Sequence, residues 1–102
     1  MASAAAMSAE EFLASAASAS PPSGIEGPLL GLWHAARGDW DSAHKIVQDD
    51  GSADAAWVHA HLHRVEGDLD NARYWYGMAG RRMSTAPLDE ERMEIARTLL
   101  AE

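Results

Sequence analysis

Apolar positions along this chain recur with the 3.6-residue period of a helix, and no stretch alternates with the two-residue period of a strand. Leu29, Leu32, Trp33 and Ala36 stand at i, i+3, i+4 and i+7. Pro28 ahead of them suits a first helical turn, where its missing N–H costs nothing, and Gly38 behind them suits a left-handed cap. Asp39 caps a second helix at once. That helix runs to about Gln48 with Trp40, Ala43 and Val47 on one face, and Asp49-Asp50-Gly51 forms the turn after it. Ser52 caps a third helix from Ala53 to Glu66, on which Ala56, His59, Ala60 and His63 mark one face. Gly67 stops it and Asp68 restarts the chain. A fourth helix carries Leu69, Ala72, Tyr76 and Ala79 and ends at Gly80. Arg81 to Ala86 form a loop. Pro87 and Leu88 open a fifth helix whose acidic first turn, Asp89-Glu90-Glu91, complements the helix dipole. Leu88, Ile95 and Leu99 form its apolar stripe, with Ala96 and Leu100 beside them. The pattern predicts an all-α fold: two helix–turn–helix hairpins and a C-terminal helix in a compact bundle.

The segment before these hairpins reads differently. Residues 1–24 are rich in Ala and Ser and end in Ser20-Pro21-Pro22-Ser23-Gly24, as a tail followed by a breaker. Within it, Ser8-Ala9-Glu10-Glu11 matches a capping box and predicts a short helix. Phe12 and Leu13 are the residues that would dock that helix onto the body. The helical domain itself is expected over residues 25–102.

The two hairpins repeat. His34-Ala35-Ala36-Arg37-Gly38-Asp39-Trp40-Asp41-Ser42-Ala43 lies over His63-Arg64-Val65-Glu66-Gly67-Asp68-Leu69-Asp70-Asn71-Ala72, so the histidine, the Gly-Asp pair, the second Asp and the Ala coincide. Each has a physical task. The Gly takes a positive φ between the helices, the first Asp caps the second helix, the second Asp meets its positive end, and the Ala lets the two helices approach. On these residues the chain resembles a tetratricopeptide-repeat protein. Leu30, Gly31, Gly38, Asp39 and Ala43 match that family's pattern in the first unit, and Ala60, Gly67, Asp68, Ala72 and Tyr76 match it in the second. The resemblance spans residues 27–80. Departures are plain: the repeat spacing, His34 to His63, is shorter than the family's ~34 residues, the opening Trp is missing in unit one and displaced to Trp57 in unit two, and the closing Pro is absent from both. Strings such as Gly38-Asp39-Trp40 also resemble small bacterial proteins, from which no activity carries over. The family lines its exposed groove with the first helix of each pair. The resemblance therefore implies a partner surface at Leu29, Leu32, Trp57, His61 and Arg64, unless the fifth or N-terminal helix covers it. It also places His34 and His63 where the family packs an aromatic ring.

Composition changes the picture in three ways. A formal net charge of −8 disfavours nucleic acid as a partner. No run approaches the ~20 apolar residues that span a bilayer, and the N-terminus lacks the cationic start of a secretory signal, so a cytoplasmic protein is expected. There is no cysteine, which removes disulfide and thiolate chemistry. Against the acidic balance, Arg64, Arg73, Arg81 and Arg82 fall close together, as solvated helix faces and loop.

Candidate chemistry concentrates on the third helix. His59 and His63 share a face one turn apart and Glu66 follows on the same side, a candidate metal set. His34 or His44 is the further ligand that could approach. The competing reading makes these histidines core residues hydrogen-bonded to a carbonyl or an Asp. An acid–base set of His63, Glu66 and Asp70 would need a deep pocket. No Gly-x-Ser-x-Gly elbow or phosphate loop occurs, so no catalytic residue and no cofactor is expected. All four tryptophans and both tyrosines lie between positions 33 and 76, where the core should be. Tyr74-Trp75-Tyr76 cannot all face inward, so one is exposed or sits in an oligomer interface. The expected role is a non-catalytic interaction module for a protein, a peptide or its own twin, with metal binding as the alternative.

Overall fold

A computed structural model describes residues 7–102. Through them the chain forms α1 (Ala9–Ala14), a 3-10 turn (Ser15–Ala17), α2 (Gly27–Ala36), α3 (Trp40–Gln48), α4 (Ala53–Glu66), α5 (Leu69–Ala79) and α6 (Leu88–Leu100). No strand occurs among the described residues, so the fold is all-α.

The boundaries follow the chain's own punctuation. Asp39, Ser52 and Asp68 each accept a hydrogen bond from the backbone N–H three residues on, at 3.2, 3.1 and 3.2 Å. Each satisfies one of the donors that a helix start leaves unpaired. Gly38 and Gly67 sit at φ +80° and +84°, where a side chain would be strained, and turn one helix of each hairpin into the next. Within the first hairpin α2 lies close on α3: a Cβ at Gly31 would meet Val47 Cγ1 at 2.8 Å. The paired alanines, Ala43 and Ala72, are both fully buried, as the repeat requires.

The expected tail contains a working part of the fold. Its first six residues lie outside the described residues. From Ser8 onward the capping box closes, with Ser8 Oγ accepting from Glu11 N–H at 3.0 Å and Glu11 Oε1 accepting from Ser8 N–H at 3.1 Å. Phe12 is fully buried and Leu13 half-buried. α1 packs on α6 and α2. Trp33 Nε1–H donates to Ser15 Oγ at 3.2 Å, and Arg97 reaches Glu10 at 2.9 Å. The short helix and its docking through Phe12 follow the capping box and apolar pair in the sequence, within an otherwise Ala/Ser-rich segment.

α4 is the central element. Every residue from Ala55 to His63 is buried, because α2, α3, α5 and α6 all pack around it. The spacing of its apolar residues predicts one inward face; the structure leaves no outward one between Ala55 and His63. Three histidines are thereby carried into the interior. α5 keeps Ala72 and Tyr76 inside, yet Leu69, read as part of that stripe, is exposed. No helix among the described residues is long and apolar enough to cross a membrane.

Candidate metal centre

Three histidines from the two hairpins converge on one side of α4. His44 of α3 and His59 of α4 meet through their Nε2 atoms at 3.1 Å. His63, one turn beyond His59, stacks on it with ring centroids 4.8 Å apart. Ligating nitrogens of all three lie within 4.8 Å of one another. Aromatic neighbours hold the rings in place. Trp40 lies flat on His44 at 4.7 Å and Trp75 flat on His59 at 3.9 Å. Trp40 is itself pinned to α4 by its Nε1–H, which donates to the Leu62 carbonyl at 2.7 Å.

The sequence singled out His59, His63 and Glu66, and the structure alters the set. Glu66 is not beside His44 and His59; its Oε1 accepts from His63 Nδ1 at 2.6 Å. That bond fixes the His63 tautomer and leaves Nε2 as the lone-pair nitrogen, the arrangement common to histidines that ligate metals. The third imidazole is His44. His34 stays apart, edge-on to Trp33 with its Nδ1 3.7 Å from Asp39. Two ligand nitrogens on a tetrahedral ion with metal–nitrogen bonds of about 2.0–2.1 Å stand about 3.3 Å apart. The His44–His59 pair already has this spacing, and the third ring must close in by up to about 1.5 Å.

One feature opposes coordination. His59 Nδ1 is buried with no hydrogen-bond partner. With its hydrogen on Nε2, shared with His44 Nε2 at 3.1 Å, the neutral ring would leave that orphan a bare lone pair, the cheaper kind. Coordination through Nε2 would move the hydrogen to Nδ1 and leave an orphaned donor, costing about 1–3 kcal/mol. The affinity should therefore fall below that of a fully braced three-histidine site.

Most of the residues expected to form a partner surface on α2 and α4 are covered. Leu32, Trp57 and His61 are buried, and only Leu29 and Arg64 keep partial exposure. α6 packs on both α2 and α4, and Arg81 lies over the Trp57 ring at 3.4 Å. His61 and Arg64 instead serve an internal carboxylate, Glu91 of α6. Glu91 Oε1 accepts from His61 Nδ1–H and from Arg64 Nη1, both at 2.7 Å, and Oε2 accepts from the Tyr76 hydroxyl. Arg64 also donates to the Ala86 carbonyl at 2.6 Å, and His61 Nε2 accepts from Arg92 Nε at 3.3 Å. Arg64 is thus not a solvated cation of the arginine cluster. The acid–base set fails too: Asp70 is solvent-exposed and paired with Arg73 at 3.2 Å.

These environments set the pH response of the protein. Burial, then the neighbouring His63 and His44, push His59 from 6.5 down to about 4. Between those values the unfolded chain binds the extra proton. The stability contributed by neutral His59 is therefore full above pH 6.5 and is lost as pH falls towards 4. For Glu91, burial alone would raise the carboxyl, but hydrogen bonds from His61, Tyr76 and Arg64 outweigh it and hold it below 4.5. Its contribution is full above 4.5 and lost below. Urea unfolding across this range should show stability declining below pH 6.5 by up to about 1.4 kcal/mol per unit. The decline should continue below 4.5; a flat profile down to pH 4 would contradict the buried neutral imidazole.

Comparison with protein families, curated proteins and solved structures gives no match to this chain.

Proposed function

We propose that this protein binds a transition-metal ion of the Zn2+ type through His44, His59 and His63, with Glu66 orienting His63. The observation that carries the reading is the convergence of three imidazoles whose ligating nitrogens lie within 4.8 Å of one another. Imidazole donors suit Zn2+, Cu2+ and Ni2+ and not Mg2+ or Ca2+, which take oxygen. His44 belongs to the first hairpin and the other two to the second, so an ion held here would clip the hairpins together. The net charge of −8 favours cation capture. Three protein ligands leave a fourth position for water or a donor from outside. The hairpins with equivalent Gly-Asp turns support the tetratricopeptide-like reading of residues 27–80, used here as a frame for an ion.

Calorimetric titration of the full chain with Zn2+ should give one ion per chain. His59→Ala and His63→Ala should each remove that binding, and Glu66→Gln should weaken it about 10–100-fold. His34→Ala should leave it unchanged. Binding that survives His59→Ala would place the ion elsewhere and overturn the reading.

A further inference from the structure

The exposed large apolar side chains among the described residues are Val65, Leu69, Tyr74 and Met78, at 41, 51, 58 and 57% exposure. All lie on α5 or on the last turn of α4 leading into it. α5 packs on α4 through Ala72 and Tyr76, and no other helix makes comparable contact with it. Its outer face is therefore unpartnered, and its pattern has an internal symmetry. The residues there come in adjacent pairs one turn apart: Leu69-Asp70, Arg73-Tyr74 and Gly77-Met78.

We infer that this face binds the same face of a second copy, with the two α5 helices antiparallel about a two-fold axis between Arg73 and Tyr74. In that register Leu69 lies opposite Met78 of the second copy, apolar against apolar. Arg73 lies opposite the second copy's Tyr74, so a guanidinium covers each phenol ring. Asp70 lies opposite the second copy's Gly77, where a Cβ would meet nothing within 4 Å of its own chain and a neighbouring backbone has room to approach. One turn away is Arg73 of the second copy, which gives the Asp70–Arg73 ion pair an opposite charge on each side. The two-fold operation repeats every contact, as an isologous interface requires. The two Arg73 side chains flank the axis, and the Asp70 carboxylate beside each offsets their like charge. That self-complementarity argues for a second copy over an unrelated partner. The helix is only about 16 Å long, and a stable dimer buries about 800 Å² per partner. The association is therefore weak and depends on concentration. It shares no residue with the histidine cluster and does not rest on metal binding.

Sedimentation velocity of the full chain, with EDTA present, between roughly 10 µM and 1 mM tests it. The expected result is a mass rising from 11.0 kDa towards twice that value with concentration. Tyr74→Glu and Met78→Glu should each hold the protein monomeric with an unchanged helical circular dichroism signal, since both side chains are mostly exposed. Arg73→Glu should shift the dimer to higher concentration at least tenfold. His59→Ala should leave dimerisation intact. A monomer throughout the range would overturn the inference, as would a dimer untouched by Tyr74→Glu and Met78→Glu together or one that forms only with metal.

Discussion

Glu91→Ala is expected to destabilise the protein by about 3–5 kcal/mol, a large part of the 5–15 kcal/mol typical of a small domain. The carboxylate is almost fully buried, and it ties α6 to two other helices: to α4 through His61 and Arg64 and to α5 through Tyr76. Truncation leaves a mostly buried guanidinium without its counter-charge, an imidazole N–H without an acceptor and a phenol hydroxyl facing a cavity. Each is a desolvated group with nothing to replace water. Glu91→Gln should cost roughly half as much. Its amide oxygen can still accept from His61 and Arg64, and the Tyr76 hydroxyl can rotate to accept from the amide NH2. Chemical unfolding of the two variants against the parent separates them. A Glu91→Ala loss below about 1 kcal/mol would mean the network is solvated and contributes as surface pairs do.

Phe12→Ala is the second large effect, expected at about 3–5 kcal/mol. The ring is fully buried in the same core cluster as Leu32, Trp33 and Ile95. Its removal leaves a cavity where α1 meets α2 and α6. The loss should come with detachment of α1, so proteolytic cleavage near residues 15–24 should accelerate in the variant. Were residues 7–24 a loosely attached tail, the substitution would change unfolding by no more than a surface replacement does, within about 0.5 kcal/mol.

The helices were legible because each end carries its own chemistry. Ser52, Gly67, Asp68, Gly80 and Pro87 mark stops and starts by local rules, and the structure places the boundaries of α4, α5 and α6 beside them. What is not local was not legible. The burial of α4 on every side depends on where α6 lands, and no spacing within residues 53–66 encodes that. His61 therefore read as a surface residue, although it is a fully buried partner of Glu91. Glu91 itself read as a dipole-complementing acid. Its signal was present in phase: it shares the stripe Leu88, Glu91, Ile95 and Leu99, a charge standing in an apolar row. The third imidazole was ambiguous between His34 and His44. The repeat alignment equated His34 with His63 as rings packed in the core and did not choose between His34 and His44. Geometry chose His44, which lies one turn after Trp40 on the face of α3 turned towards α4.

X-ray absorption spectroscopy of the stoichiometric Zn2+ complex decides whether His44, His59 and His63 together hold one ion. Three imidazole nitrogens at about 2.0–2.1 Å and one further light-atom ligand are expected, and His44→Ala should lose the ion as His59→Ala does. A shell of oxygens, or of one or two imidazoles unaffected by His44→Ala, would mean that the ion sits on the acidic surface and that the three histidines are a packed part of the core.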